Sequence, residues 1–453
     1  MKIIELIKLI DKKIAILWYG KEGKSTLSFL LKLWFTNIYI LDKNENIEKI
    51  KWLKYILWEK YIDNLWEFEM IFKTPWISPY NEKIINFKSK ISSQTNLFLD
   101  NYAWKVIWIT WTKGKSTIST LTYEILNKIW YKVKLVWNIW TPVLDEINLL
   151  SNQKYDFVIY ELSSYMLEWF NSKLYIWLLN NIYDCHLDWH NWRMNYEKAK
   201  FNIISNSKYK LINNELKWKI VDIDNIIYFW NWWKYSYKNW LFYKNEHQIF
   251  ITKKIALQWE HNKRNIAWIL WIIDIINPNN LINNIGEIEI LLSNFQSLPH
   301  RLENIWIYKW ITFIDDGIAV TPEATIAAIE TYKQNIWTIF LWWKNWEYNF
   351  ENLISTLKKY NIPNVVLFPD TWEKIFWDLS KYDYENEFIL EWIYNPKIIK
   401  TKSMESAVKF AFKNTSAWKI CLLSNAAQSY NLWSWFIEKW LEFQSEIKKQ
   451  SIK

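Results

Sequence analysis

The chain has 453 residues, 51% of them hydrophobic and 23% charged, which excludes a disordered polymer and asks for two to four domains. Its net charge of +9 is spread through alternating Lys and Glu without a long basic run, so it calls for no nucleic-acid partner, and a phosphate-rich ligand suffices. Two cysteines, Cys185 and Cys421, exclude a disulfide framework and fit a reducing cytoplasm, and no stretch reaches the ~18 apolar residues of a membrane span.

The first residues, MKIIELIKLIDKK, are amphipathic, and too short and charged for a signal peptide. KIAIL (13–17) predicts a buried strand, 24–35 a helix, and NIYIL (37–41) the next strand. Between the first strand and the helix stands WYGKEG (18–23), which differs from G-x-G-x-x-G only at Trp18. That difference belongs to a chain-wide anomaly of 5 Gly against 37 Trp. Trp occupies turn and loop positions where backbones need Gly, as in the PW pair at 75–76, the WW pair at 342–343, and at Trp111 before GKST. We read most of these Trp as glycine positions, the result of UGA being translated as Trp where the source decodes it as Gly. On this reading Trp18, Tyr19 and Gly20 form a nucleotide-binding turn at a helix N-terminus. Asp42, ending the next strand, can then accept from a ribose hydroxyl. The overlapping GKEGKST (20–26) mimics a phosphate loop, but its glycine spacing is short.

A second strand-then-helix series begins at KVIWIT (105–110) with a helix at 115–129. Between them Trp111, Thr112, Lys113, Gly114, Lys115, Ser116 and Thr117 read as a short phosphate loop, G-T-x-G-K-[ST], with Trp111 taken as Gly. Backbone N–H groups would cradle the phosphates of ATP, Lys115 would neutralise β/γ charge, and Ser116 would hold Mg²⁺. DFVIY (156–160) predicts a strand ending at Glu161. Cys185, His186 and His190 have the look of zinc ligands at helical spacing, yet a structural zinc site needs a fourth ligand and usually two Cys. A third series follows, with strands at 311–315, 337–341, 364–368 and 418–423 and helices at 322–334 and 350–360. The fold class is therefore α/β with parallel sheets in three domains: a Rossmann-like 1–98, a central mononucleotide-binding 99–299 and a Rossmann-like 300–453.

Several segments resemble, in order, motifs of the Mur ligase family, and within it of the members that add D-glutamate. Besides the loop at 111–117 they are TPWIS (74–78), WNIWTP (137–142), ELSSYMLE (161–168), NIYDCHLDWH (181–190), EHNKRNIAW (260–268), LPHRLE (298–303), IDDGIAVTPEAT (314–325) and LLSNAAQSYN (422–431). They span nearly the whole chain, and reading Trp as Gly repairs five of them at once. The resemblance implies an ATP- and Mg²⁺-dependent ligase of peptidoglycan precursor synthesis that joins D-glutamate to UDP-N-acetylmuramoyl-L-alanine through an acyl phosphate. It implies metal contacts at Ser116, Glu161, His186 and Lys200, the last as a carbamate, with Lys198 close enough to compete for that role. Asn265, Arg301 and Asp316 would serve ATP, Trp76 and Asn138 the sugar nucleotide, and Ser429, Tyr430 and Phe436 the amino acid. It further implies a cytoplasmic monomer.

Ile318, Val320 and Met166 depart from the family pattern, and they bear on the choice of amino acid rather than on ATP chemistry. The alternatives are another Mur-type ligase, a folylpolyglutamate synthetase, which the N-terminal glycine turn argues against, and a nicotinamide-dependent oxidoreductase, which leaves 108–117, Glu161 and His186 unexplained. A non-catalytic nucleotide-binding protein is what the chain would be if every Trp were genuine.

Overall fold

The computed structural model describes residues 1–102, 105–110, 114–136, 141–147, 155–168, 174–182, 187–202, 207–219, 226–229, 235–238, 241–244, 247–251, 260–342, 350–368, 396–427, 432–433 and 436–452. They form two compact units, Met1–Ile182 with His186–Phe295, and one beginning at Gln296.

In the first unit, strands β1 (Ile14–Leu17), β2 (Ile38–Asp42), β3 (Lys54–Leu57), β4 (Met70–Lys73) and β5 (Ile91–Ser92) form a parallel sheet in the order β3-β2-β1-β4-β5. Every residue of β1 is buried, as an uninterrupted apolar run between two neighbours requires. The helix after it is Lys21–Lys32, three residues earlier than the sequence suggests, because Gly20 caps it in an extended conformation and its carbonyl accepts from Lys24 N–H. The chain leaves β1 toward β2 on one side, while β4 lies on the other. The Trp18–Gly23 turn thus sits at a topological switch point, where open α/β sheets bind ligands.

The same unit holds a second parallel sheet, of β6 (Val106–Thr110), β7 (Val133–Val136), β8 (Phe157–Glu161), β9 (Leu174–Leu179), β10 (Ser207–Asn213) and β11 (Ile226–Phe229), in the order β11-β10-β9-β6-β8-β7. Here β6 is the switch strand, flanked by β8 and β9, and the segment that follows it is the phosphate-loop candidate. β12 (Tyr235–Lys238), β13 (Leu241–Lys244) and β14 (His247–Ile251) make a small antiparallel sheet that the sequence reading did not anticipate.

In the second unit, β15 (Glu303–Tyr308), β16 (Ile311–Asp316), β17 (Ile336–Leu341), β18 (Asn364–Leu367), β19 (Lys397–Lys400) and β20 (Ile420–Ser424) run in the order β15-β16-β20-β17-β18-β19. Only β15 is antiparallel to its neighbour. The core behind this sheet is built from Phe313, Phe340, Val366, Leu423, Phe443 and their neighbours. Among the described residues no helix is long and apolar enough to cross a membrane.

Candidate functional site

The N-terminal turn is fixed from both sides. Trp18 has φ 79°, and its N–H donates to Leu41 O at 2.7 Å. A Cβ on Gly23 would lie 2.4 Å from Trp18 O, so only glycine fits there. Asp42 is buried, and its two oxygens accept from Tyr19 N–H at 2.7 Å and Asn44 N–H at 2.8 Å. Its carboxylate therefore shapes the turn, a role the sequence reading did not give it alongside the ribose contact. Trp76 stands exposed on the loop after β4.

A buried cation beside this turn carried no motif. Lys73, the last residue of β4, donates to Ile77 O at 2.8 Å and Thr74 O at 3.1 Å. It lines a cavity of about 20 Å³ with Asn96, Met166 and Glu168, room for about one water. Burial lowers its ammonium to about 8, opposed by the charges of Glu22 and Glu168. Burial likewise pushes the Glu22 carboxyl up from 4.5 to about 7, against a hydrogen bond from Gln94 and the charge of Lys73. Between those values the folded chain holds a proton that the unfolded chain releases. Glu22 therefore makes stability fall as pH rises through that window, by about 2–3 kcal/mol. We expect Glu22→Gln to flatten this slope in urea unfolding at pH 5 and pH 7; an unaltered slope would refute the assignment.

At the phosphate loop, Gly114 caps helix Lys115–Lys128 with φ 97°, a left-handed conformation that glycine adopts freely. Lys115 is the first residue of that helix, and Ser116 is buried beside it. Glu161 ends β8 directly opposite Ile109 of β6, and the Thr110 hydroxyl donates to Leu162 O at 3.1 Å. The Glu161 side chain is buried, yet its Oε2 meets no hydrogen-bond partner among the described residues. A buried carboxylate oxygen in that situation fits a cation, since a buried polar group without a partner is costly. The hard oxygens of Glu161 and Ser116 suit Mg²⁺.

Lys200 is buried on helix Arg193–Phe201, with Nζ 4.9 Å from the Tyr196 ring centre, whereas Lys198 on the same helix is exposed. Burial thus separates the two lysines that the sequence left in competition. His190 is fully buried, its Nε2 2.9 Å from Ser164 Oγ and its Nδ1 3.2 Å from Glu168 Oε1. Glu168 Oε1 also accepts from Tyr80 Oη at 2.8 Å. His190 therefore braces the turn after Glu161. Asn265 is buried on helix Glu260–Ile276 and donates to Asn262 Oδ1 at 3.1 Å.

In the second unit, Asp316 ends β16 opposite Ser424 of β20, whose hydroxyl donates to Asp316 Oδ2 at 2.9 Å. His300 and Leu302, on either side of Arg301, have φ 61° and 50°, so the backbone turns sharply there. The His300 ring lies 2.7 Å from Asp315 Oδ2. Trp111, Thr112, Lys113, Asn138, His186, Ser429 and Tyr430 lie outside the described residues, as does the side chain of Phe436, which opens helix Phe436–Ile452.

The chain is similar to several known proteins. The family model of the Mur ligase middle domain matches residues 109–263. A UDP-N-acetylmuramoylalanine--D-glutamate ligase of Buchnera aphidicola is 30% identical over 451 residues, covering 94% of this chain and 96% of its own. One of Clostridium tetani is 28% identical over 465 residues, covering 97% of each chain. The crystal structure of a MurF ligase from Thermotoga maritima in complex with ADP superposes with a TM-score of 0.56 over 98% of this chain and 97% of that one, at 16% identity.

Proposed function

The chain belongs to the Mur ligase family, and on that premise we propose that it joins D-glutamate to UDP-N-acetylmuramoyl-L-alanine, using ATP and Mg²⁺, as a step of peptidoglycan precursor synthesis. The observation that carries this reading is the match to ligases of that name across 94–97% of the chain. A substrate carboxylate oxygen attacks the γ-phosphorus of ATP, ADP leaves, and an acyl phosphate results. The amine of D-glutamate then attacks the acyl carbon, phosphate leaves, and the amine gives up its proton. Mg²⁺, when bound, would supply neutralisation of phosphate charge.

On this reading the residues divide by ligand. The turn at Trp18, Tyr19 and Gly20, with Asp42, Trp76 and Asn138, takes the sugar nucleotide. The residues of 111–117 wrap the ATP phosphates, and Lys115 meets the charge that builds as the phosphoryl group transfers. Ser116, Glu161, His186 and buried Lys200, the last as a carbamate, would hold Mg²⁺. Asn265, Arg301 and Asp316 orient ATP, and Ser429, Tyr430 and Phe436 orient the amino acid. We take 1–98, 99–299 and 300–453 as the three domains, with Asn138 of the second reaching the sugar nucleotide and Arg301 and Asp316 of the third reaching ATP.

We also propose that most Trp stand for glycine. Of the thirteen non-glycine residues with positive φ among the described residues, six are Trp: Trp18, Trp34, Trp58, Trp130, Trp310 and Trp418. With 37 Trp in 453 residues, chance would put about one there. The indole N–H groups of Trp177, Trp342 and Trp440 are buried and meet no acceptor among the described residues, which a genuine Trp avoids. Intact mass of the polypeptide from its own source decides, because each swap removes an indole.

The function is tested by phosphate release from ATP with UDP-N-acetylmuramoyl-L-alanine and each of several amino acids, on protein made with glycine restored. Release should require D-glutamate. Release with L-alanine or L-glutamate instead would reassign the amino acid, with Ile318, Val320 and Met166 as the residues to examine. Reduction of NAD(P) without ATP would overturn the assignment.

A further inference from the structure

Helix Phe436–Ile452 carries Lys439 in its first turn, and this lysine is buried inside the second unit although no motif singles it out. Its Nζ donates to Gly317 O at 3.0 Å. The same carbonyl accepts from Asn425 Nδ2 at 2.8 Å. Gly317 follows two buried carboxylates, Asp315 and Asp316, at the end of β16. Asp315 Oδ1 accepts from Gly317 N–H at 2.7 Å, its Oδ2 lies 2.7 Å from His300 Nδ1, and Asp316 Oδ2 takes the Ser424 hydroxyl at 2.9 Å. A Cβ on Gly317 would come within 2.8 Å of Asp315 Oδ1, so the turn is closed as tightly as glycine permits. Two adjacent buried carboxylates repel each other and lose hydration, and a cation within the same cluster offsets both costs. Burial lowers the Lys439 ammonium to about 7, while the charges of Asp315 and Asp316 oppose that shift. The lysine is thus electrically tied to the pair as well as hydrogen-bonded to their turn.

We propose that Lys439 is a positioning residue for the nucleotide: from the first turn of its helix it pins the Asp315–Asp316–Gly317 turn and thereby sets the direction in which Asp316 is presented to the ribose of ATP. This rests on the reading of Asp316 as a nucleotide contact. Phe436, a candidate for the amino-acid substrate, starts the same helical turn, so the clamp also joins the element that would hold D-glutamate to the one that would hold ATP.

The test uses the full chain with Lys439→Met, Lys439→Arg and Lys439→Gln, alone and with Asp316→Ala. ATP and UDP-substrate KM values come from phosphate release, and ADP affinity from calorimetry. Lys439→Met should raise the ATP KM and the ADP Kd about tenfold and leave the UDP-substrate KM within about twofold. Lys439→Arg, which keeps both charge and donor, should return ADP affinity to within about threefold of the parent, and Lys439→Gln, with a donor alone, should fall between. In the Asp316→Ala background, Lys439→Met should add less than about twofold, because the two act through one contact. Unchanged ADP affinity in Lys439→Met, equal losses for ATP and the UDP substrate, or a full tenfold loss on top of Asp316→Ala would each overturn the proposal. If Lys439→Met does not fold, Lys439→Gln and Lys439→Arg decide by the same comparison. Failure of the parent to use D-glutamate would sink the proposed function, while ADP calorimetry would still decide the role of Lys439.

Discussion

Lys115→Ala should lower kcat by about 10³ or more while the affinity for UDP-N-acetylmuramoyl-L-alanine stays within about twofold. The asymmetry follows from where the residues stand. Lys115 opens the helix that Gly114 caps, directly after β6 of the second sheet, and its charge is needed only as negative charge builds on the transferring phosphoryl oxygens. The groups assigned to the UDP substrate that the structure describes, Trp18, Tyr19, Gly20, Asp42 and Trp76, lie on the first sheet and its loops. Removing a cation aimed at the transition state costs rate, whereas removing a ground-state contact costs affinity. Steady-state phosphate release and a binding titration with the UDP substrate separate the two. If UDP-substrate binding collapses with Lys115, the assignment of the two sheets is wrong.

Much of the chain's architecture was legible because several central strands are predominantly apolar runs. KIAIL (13–17), KVIWIT (105–110), DFVIY (156–160) and the 337–341 run each became an interior strand, with ends within a residue or two of those expected. Composition does not account for every strand that escaped notice, since β9 (LYIWLL) is as apolar as those found and β4 (MIFK) nearly so, but it does account for several. β3 (KYIL) and β19 (KIIK) are edge strands that begin or end in lysine, as exposed edges favour. β12 to β14 pair antiparallel in a Tyr-, Lys- and Asn-rich stretch whose apolar residues do not alternate cleanly. At the site, the phosphate loop and Glu161 could be found because their chemistry demands particular residue types at fixed spacing. Lys73 and Lys439 could not, because each is one of 56 Lys and Arg in the sequence and acquires its meaning from burial against carboxylates distant in the chain. Lys198 and Lys200 illustrate the same limit, since two positions on one helix differ only in which way each faces once the helix has packed.

Glycine at Trp18, Trp34, Trp58, Trp130, Trp310 and Trp418 should stabilise the chain by about 6 kcal/mol in total, at about 1 kcal/mol for each left-handed position. That is comparable with the whole stability of an ordinary domain. The local geometry is plainest at Trp34 and Trp130. After helix Lys21–Lys32, Trp34 N–H donates to Leu31 O at 3.0 Å and Phe35 N–H to Leu30 O at 3.1 Å. After helix Lys115–Lys128, Trp130 N–H donates to Asn127 O at 3.1 Å and Tyr131 N–H to Leu126 O at 3.0 Å. Both are the pair of bonds by which a helix ends on a left-handed residue, usually Gly. The indoles contribute little in return, because Trp34 is 81% and Trp130 91% exposed. Buried positions obey the opposite arithmetic. Trp108 and Trp177 face each other in the β6–β9 register, and in a chain whose core is truly built around them each replacement by Gly would open a cavity costing about 3–5 kcal/mol. Urea unfolding of three chains therefore separates the two accounts of the sequence. If the Trp are genuine, the six-position variant gains stability and the fully glycine-restored chain loses it. If glycine is native, the fully restored chain unfolds cooperatively and is the most stable of the three. A six-position variant no more stable than the chain as written would contradict the left-handed backbone on which both accounts rely.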